Sequence, residues 1–268
     1  MQITSAMKMV SAARLKKSQQ RIEKMRPYAE KMAELISDLS ANSENKNGLT
    51  EEREQKKTLF LFLSSNKGLC GSFNTSLVKH LEELCKKDFS QTKNEVFCLG
   101  KKAEPILKRK GLSITSVNTE IIERPNFKET GIVSAKIMDD FLTQKYDKVI
   151  LLYNKFKNAA IQTPTHEQLL PIQKIANSEK ANNSYEFEPS SEEILEQLLP
   201  NSIKIKIFKS LLESIASENG SRMTAMHKAT DNAKELQEGL KLTYNRQRQA
   251  AITAEILEIV AGAEALKK

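Results

Sequence analysis

Polar and apolar residues follow a helical period over the C-terminal part of the chain, from Arg222 to Lys268. Small or apolar residues form one stripe, mostly at spacings of three and four, which is the pattern of a coiled-coil seam. Its members are Met226, Ala229, Ala233, Leu236, Leu240, Ala250, Ala254, Leu257 and Ala261. Glutamate alternates with lysine or arginine elsewhere, which is typical of a solvated face. This stripe predicts a long helix that needs a partner helix.

The helical pattern extends back to Pro200, and proline can open a helix at its first turn. No proline follows Pro200 in the sequence. The stretch from Pro200 to Lys268 is 69 residues, which at ~1.5 Å per residue gives about 100 Å. Because a compact domain of this chain length is much narrower, we expect a protruding rod.

A second helical pattern occupies the N-terminal region, and Pro27 is expected to bend it. Its apolar positions are Ile3, Met7, Val10, Ala13, Leu15, Ile22, Met25, Met32, Leu35, Ile36 and Leu39. Between residues 8 and 31 eight lysines and arginines face only Glu23 and Glu30, so one side of this helix is basic. The two terminal helices together predict a long antiparallel coiled coil that frames the middle of the chain.

Short apolar runs alternate with helical patterns in the middle of the chain, which indicates a small Rossmann-like α/β domain. We predict strands at 58–63, 95–100, 113–117 and 148–154. Helices are expected from Asn74 to about Lys87 and near 101–110 and 130–145. The predicted domains are an N-terminal coiled-coil helix with a polar linker (1–56), an α/β domain (57–190) and a C-terminal coiled-coil helix (191–268).

Two stretches of the chain are less regular. Residues 155–188 are expected to hold a hairpin built from AIQTPT and QLLPI, followed by KIANSEKANNS as a mobile loop. The linker ANSENKNGLTEEREQKK, residues 41–57, is polar and is expected to be exposed.

Composition narrows the class of protein without indicating a function. No apolar run approaches the roughly 18 residues needed to cross a bilayer, and the first residues lack the apolar core of a secretory signal, so we expect a cytoplasmic chain. The 3 cysteines show no CxxC spacing and fit reduced thiols. The three histidines, His80, His166 and His227, show no ligand spacing, so no metal site is predicted.

Two features suit other classes of function. The GLCGS sequence at 68–72 could cradle a phosphate, although it matches neither GxxxxGK[ST] nor GxGxxG. The alternative is a tight strand-to-helix turn that packs closely against the rod. The net charge of +8 and the segment ARLKKSQQR would suit a nucleic-acid-binding coiled coil. Two observations disfavour nucleic-acid binding: the basic residues lack interleaved aromatic residues, and no known DNA- or RNA-reading motif is present.

Three segments carry a more specific signal. They are ITSAMKMVSAARLKKSQQRIEKMRPYAEKM, SSNKGLCGSFN and SRMTAMHKATDNAKELQEGLKLTYNRQRQAAITAEILEIVAGAEAL. In this order they resemble signature segments of the F-type ATP synthase gamma subunit, and together they span nearly the whole chain. The family pattern has an acid and an arginine where this chain has Asn66 and Lys67. The family also has roughly twenty residues, about five helical turns, before the segment that matches Gln2, so we expect either a wrongly assigned start codon or a truncation.

The resemblance implies a non-catalytic rotor shaft that couples transmembrane proton flow to ATP synthesis. Its tip would turn inside a ring of three alpha and three beta subunits and change the conformation of the catalytic beta subunits. The α/β domain would form a foot beside the epsilon subunit and the membrane c-ring. No cofactor and no nucleic acid are implied, and the location would be peripheral, on the cytoplasmic face of the bacterial plasma (inner) membrane.

The resemblance also implies residues that contact other subunits. Met7 and Lys8 lie in the segment that faces acidic loops of the beta subunits, and Arg222 matches a position tied to coupling. Four positions match polar contacts with the surrounding beta and alpha subunits: Arg248, Gln249, Thr253 and Glu255. For each of the seven, simple solvation of a helix face is the alternative interpretation.

Overall fold

The computed structural model describes residues 2–41, 48–173 and 190–265. The helices are α1 (Gln2–Ala41), α2 (Phe73–Lys87), α3 (Glu104–Arg109), α4 (Glu120–Glu123), α5 (Phe127–Leu142) and α6 (Ser191–Ala265). The strands are β1 (Lys57–Leu63), β2 (Lys93–Leu99), β3 (Ser113–Asn118), β4 (Lys148–Phe156) and β5 (Gln162–Leu170). The predicted fold class is confirmed, because two long terminal helices frame a five-stranded sheet.

The sheet has the strand order β3-β2-β1-β4-β5. The first four strands in that order are parallel, and β5 runs antiparallel to β4 along one edge. In the central strand β1 every residue from Thr58 to Leu63 is buried, as expected for a parallel strand with both faces covered. The apolar runs that predicted strands therefore correspond to β1, β2, β3 and β4.

The two faces of the sheet pack against different helices. Phe60 and Phe62 belong to the cluster formed with α2 and α3, whereas Leu59 and Leu61 belong to the cluster formed with α1, α5 and α6. Alternate residues of a strand point to opposite faces, so one apolar run supplies both clusters. We call α1 and α6 the shaft, and the sheet with α2–α5 the foot.

The hairpin predicted within 155–188 is wrong in its placement. AIQTPT and QLLPI fall in or beside one strand, β5, and the observed hairpin joins β4 to β5. Its turn is closed by Asn158 Oδ1, which accepts from the backbone N–H of Ile161 at 2.8 Å. Pro164 lies inside β5, which is an edge strand, where a missing N–H is tolerated. The predicted mobile loop lies outside the described residues.

Helix α1 runs from Gln2 to Ala41 with Pro27 inside it, and the bend expected at Pro27 stays a prediction. Two further expectations need correction. Pro200 does not open α6, which begins at Ser191, because Leu195 and Leu199 are buried in the core and hold the turns before the proline. In the polar linker, Leu49 is buried and its carbonyl accepts from the backbone N–H of Ile172 at 2.9 Å. Arg53 of the same linker donates to the carbonyl of Phe141 at 3.0 Å, so part of the linker is fixed to the foot.

The shaft helices run antiparallel. The hydroxyls of Thr4 and Thr230 lie 2.8 Å apart, whereas the C-terminal half of α1 packs beside the N-terminal half of α6. The seam of α1 differs in part from the predicted one, since Ile3 and Val10 are exposed and Ser11 and Ser18 are buried. Four of the predicted positions are buried as expected: Leu15, Met32, Ile36 and Leu39. The serine hydroxyls donate to the carbonyls of Met7 and Arg14, four residues earlier, so burying them leaves no unpaired donor.

We predict that Gly100→Ala destabilises the foot far more than Gly111→Ala. Both glycines have positive φ, +100° and +74°, so alanine costs about 1–2 kcal/mol at either position. A Cβ at Gly100 would also overlap the carbonyl oxygen of Ser64, whereas Gly111 has open space. This overlap adds about 1–3 kcal/mol. Urea unfolding followed by circular dichroism measures the difference, and equal losses would show that Ser64 moves aside freely.

Candidate functional site: the shaft and its junction with the foot

The crevice where doubly wound sheets hold their ligands is filled here by the shaft. The strand order reverses between β1 and β4, and ligands of such folds bind outside the carboxyl ends of the strands at that point. In this chain Ser217 of α6 donates to the carbonyl of Asn154 at the end of β4, at 2.7 Å. Beyond β4, Thr224 donates to the carbonyl of Ala159 at 3.0 Å. Helix α6 therefore takes the place of a ligand.

The glycine loop at 68–72 packs directly against α6. Gly71 has φ +58°, and a Cβ there would lie 3.4 Å from Ser221 Oγ. Ser221 donates to the carbonyl of Cys70 at 2.6 Å. The interpretation of this loop as a tight turn against the rod is confirmed. Since the loop turns carbonyls towards α6, it binds hydrogen-bond donors there, whereas a phosphate would need backbone N–H groups.

A buried ion pair fixes the same loop to the shaft. Arg222 Nη2 lies 2.6 Å from Glu218 Oε1, one helical turn earlier, and little of either side chain is exposed. Arg222 also donates to the carbonyls of Lys67, at 2.9 Å, and Gly68, at 3.2 Å. Burial raises the pKa of Glu218, while the charges of Arg222 and, from α1, Arg14 oppose that rise. The pair thus joins α6 to the loop.

Asn66 occupies the position where the family pattern has an acid. Its Nδ2 donates to the carbonyl of Thr119 at 2.7 Å, and its Oδ1 accepts from the backbone N–H of Lys101 at 3.3 Å. These bonds connect the residues that follow β1, β2 and β3. Sequence reasoning did not find this role, although a polar residue directly after a buried strand was a usable signal.

The residues implied as subunit contacts fall into three environments. Arg222 is buried inside the chain, as described above. Met7 and Lys8 are half-buried near the start of α1. Arg248, Gln249, Thr253 and Glu255 are exposed on α6. The helical period puts Arg248 and Glu255, seven apart, on one face, and Gln249 and Thr253, four apart, on a neighbouring face.

The predicted seam of α6 is only partly covered within the described residues. Met226 is buried, and Ala229 and Ala233 are half-buried. Beyond them, Leu236 and Leu257 are 68% and 64% exposed. We call residues 234–264 the tip. Other large apolar side chains of the tip, among them Leu240, Ile256 and Ile259, are also exposed, and contiguous apolar groups on a surface mark interaction sites.

The chain matches known proteins along its whole length. A family described as ATP synthase matches residues 1–266. The ATP synthase gamma chain of Christiangramia forsetii is 50% identical over 99% of this chain and 93% of the relative, and that of Trichlorobacter lovleyi is 41% identical over the same shares. The chain belongs to the ATP synthase gamma-chain family. Gamma chains are subunits of a membrane-associated complex, and none of the described helices of this one is apolar enough to cross a membrane.

Solved structures agree with this membership. The central stalk of the Tetrahymena thermophila mitochondrial ATP synthase, solved with its c-ring, is 31% identical, with a TM-score of 0.63 over 85% of this chain and 99% of that one. A rotor chain of the Euglena gracilis mitochondrial enzyme is 20% identical and shares the fold, with a TM-score of 0.66 over 94% of this chain and 93% of that one. This gamma chain therefore has the fold of an ATP synthase central stalk.

A second buried carboxylate of the gamma chain lies where the shaft meets the foot. Glu213 of α6 is buried, and its Oε2 has no hydrogen-bond partner among the described residues. Burial raises the pKa of Glu213, and the charges of Lys209 and Lys155 oppose that rise. An unpaired buried acceptor is costly, so this position weakens the contact between shaft and foot.

We predict strong coupling between Arg222 and Glu218. Either single change, Arg222→Met or Glu218→Leu, leaves one buried charge alone and costs about 3–5 kcal/mol. The double variant should lose much less than the sum of the two, as measured by urea unfolding in a double-mutant cycle.

The matched control for this cycle is Glu104 with Lys108, an exposed pair with the same four-residue spacing at 2.8 Å. Because it is solvated, its coupling should stay near 0.5 kcal/mol or less. Additive losses at Arg222 and Glu218 would contradict the junction described above.

We predict that Glu213→Gln stabilises the gamma chain at pH 7 by roughly 1 kcal/mol, because it removes an unpaired buried charge. The pKa of Glu213 in the folded chain lies above its ordinary value of 4.5. Between pH 4.5 and the pKa of the folded chain, the folded state therefore keeps a proton that the unfolded state has lost. The free energy of unfolding of the wild type falls as the pH rises through this range. The gain from Gln should shrink as the pH approaches 4.5.

Urea unfolding at pH 7 and pH 5 measures this gain. The control is Glu196→Gln, an exposed glutamate of the same helix, which should change stability little at either pH. A Glu213→Gln variant less stable than wild type at pH 7 would show that the carboxylate makes a favourable contact.

Proposed function

We propose that this gamma chain is the non-catalytic rotating shaft of an ATP synthase and couples transmembrane proton flow to ATP synthesis. The observation that carries the proposal is the tip. From Thr230, which lies beside Thr4, α6 continues to Ala265, about 35 residues or roughly 50 Å. The described residues of the tip are almost all exposed, and a set of large apolar side chains lies among them. Such a helix needs a surrounding protein surface.

A ring of alpha and beta subunits suits the tip as that surface. A single helix is asymmetric about the ring axis, so each beta subunit would meet a different set of side chains. Only a difference in contact free energy can favour one beta conformation over another. Turning the tip then moves each beta subunit through the same series of states. The coupling is reciprocal in the binding equilibria, so ATP hydrolysis would turn the shaft in the opposite direction.

The foot is the proposed site of contact with the epsilon subunit and the c-ring. Its sheet lies beside the base of the shaft, at the end opposite the tip. The Tetrahymena thermophila stalk was solved together with a c-ring, and this supports a similar neighbour here. The relatives with the highest identities are bacterial gamma chains, which supports a location on the cytoplasmic face of the plasma (inner) membrane.

A non-catalytic role agrees with the crevice between β1 and β4. Ser217, Ser221 and Arg222 of α6 donate to carbonyls at or near this crevice, so the position used for ligands in related sheets is taken by the shaft. We therefore propose that bond chemistry belongs to the beta subunits and that this chain only transmits torque.

The proposed contact residues divide by their placement. Arg248, Gln249, Thr253 and Glu255 would bind the surrounding subunits directly, because all four are exposed on the tip. Met7 and Lys8 would face acidic loops of the beta subunits beside the basic side of α1. Arg222 would act indirectly, because it is buried against the glycine loop and keeps the shaft rigidly attached to the foot.

Co-expression with the cognate alpha and beta subunits tests the proposal. We expect a large complex on gel filtration that contains this chain and whose ATP turnover depends on it. If alpha and beta assemble without the chain, and adding it changes neither their elution nor their turnover, the shaft role is wrong.

We predict that Arg248→Ala with Gln249→Ala lowers ATP turnover of the complex at least about fivefold, the lower range of a coupling free energy. The matched control is Arg246→Ala with Gln247→Ala, which removes the same two residue types from exposed positions two residues earlier. Two residues turn a helix by about 200°, so the control removes a different face. Equal turnover in the two double variants would exclude a specific contact at Arg248 and Gln249.

A further inference from the structure

Two histidines that are far apart in sequence meet on the surface of the foot. His80 of α2 and His166 of β5 lie with Nε2 and Nδ1 3.1 Å apart. Their ring centroids are 5.3 Å apart and their planes are inclined by 40°. His80 is half-buried and His166 is exposed. They are separated by 86 positions, so no sequence spacing could have shown the pair.

The fold brings this pair together in a defined way. In the β4–β5 ladder His166 is opposite Leu152, and Leu152 packs into the cluster that α2 covers. His166 thus extends the α2 face of the sheet to its edge. His80 follows the buried positions Leu77 and Val78 of α2, so it lies at the border of the same cluster. A helix and an edge strand each supply one imidazole.

The distance between the two nitrogens is the distance between neighbouring ligands of one metal ion. Imidazole nitrogens bind zinc at about 2.0–2.1 Å. With both at that distance, a separation of 3.1 Å corresponds to an angle of roughly 100° at the metal, between the octahedral and tetrahedral values. In the metal-free pair one ring donates an N–H to the other. If that ring carries its proton on its other nitrogen instead, both facing nitrogens present lone pairs and no proton is lost.

A histidine must be neutral to bind a metal ion. Partial burial lowers the pKa of His80, and the neighbouring His166 lowers it further by a smaller amount. Glu83, about one turn later on α2, opposes this change. The carboxylate of Glu83 contributes negative charge beside the site.

We propose that His80 and His166 form a two-imidazole site for a divalent transition metal of the zinc, nickel and copper class. Imidazole suits these ions, whereas magnesium and calcium prefer oxygen ligands. Within the described residues no three His, Cys, Asp or Glu side chains cluster around a common point, so water completes the coordination. A site with two protein ligands exchanges its metal readily. Bound metal clamps edge strand β5 to α2 and stabilises the foot.

Calorimetric titration of the full-length, tag-free gamma chain with zinc chloride tests this site, after treatment with a chelator. We expect one zinc ion per chain. His80→Gln and His166→Gln should each weaken zinc binding at least about tenfold. His227→Gln is the matched control, because His227 is exposed on α6 and pairs only with Asp231, at 3.3 Å, in the described chain. Its variant should bind zinc like wild type, and magnesium chloride should bind to none of the variants at this site.

A second readout separates metal binding from damage to the fold. Zinc binds the folded state, so it should raise the unfolding temperature of wild type and of His227→Gln. The rise should be absent from His80→Gln and His166→Gln and should return in His80→Cys, which restores a zinc ligand. Zinc binding that is unchanged in both His→Gln variants, that depends on His227, or that is absent from wild type at millimolar zinc would overturn the site.

Discussion

The attachment of α6 to the crevice between β1 and β4 sets the position of the shaft relative to the foot in this gamma chain. Ser217, Ser221 and Arg222 of α6 donate to carbonyls at the carboxyl ends of the central strands and in the loop that follows β1. Glu218 balances the charge of Arg222 in a buried setting. A buried ion pair with both partners satisfied adds geometric definition even when its net contribution to stability is small. A shaft that transmits torque needs a defined angle to its foot more than it needs additional stability.

The two halves of α6 are built for different surroundings. Its first half is packed between α1 and the sheet, and nearly every residue from Leu211 to Gly220 is buried. Its second half projects as the tip. The close packing of the first half relies on small residues, since a Cβ added at Gly220 would lie only 3.3 Å from the Cα of Ala159. One continuous helix can carry both roles because backbone hydrogen bonding within a helix does not depend on its surroundings.

Much of this architecture could be predicted from the sequence, because apolar periodicity over long stretches reports which faces are buried. The four parallel strands and the two terminal helices follow from such runs. The wrong predictions came from rules on local sequence, and they failed where tertiary packing favoured a different local structure. Pro200 looked like a helix start, but Leu195 and Leu199 hold the preceding turns in the core. The predicted seam of α1 included Ile3 and Val10, which are exposed, and missed Ser11 and Ser18, which are buried because a serine can bond its own helix backbone.

The junction itself was only partly predictable. The close approach of the glycine loop to the rod could be predicted from Gly68 and Gly71, but the donors that grip the loop could not. Contacts such as Ser221 with Cys70 or His80 with His166 join positions separated by 151 and 86 residues. A single sequence holds no spacing rule for such pairs. The contact residues on the tip were available only through resemblance to the family.

The hydrogen bonds between α6 and the glycine loop use backbone acceptors on the loop and side-chain donors on the helix. All acceptors on the loop side are backbone carbonyls, those of Lys67, Gly68 and Cys70, and every amino acid carries such a group. All donors come from side chains of α6. The side chain at Lys67 can therefore change without removing an acceptor, whereas Ser221 and Arg222 cannot be replaced without removing a donor. Substitution is thus permitted at Lys67 on the foot and restricted at Ser221 and Arg222 on the shaft, while Gly71 is restricted separately by its positive φ.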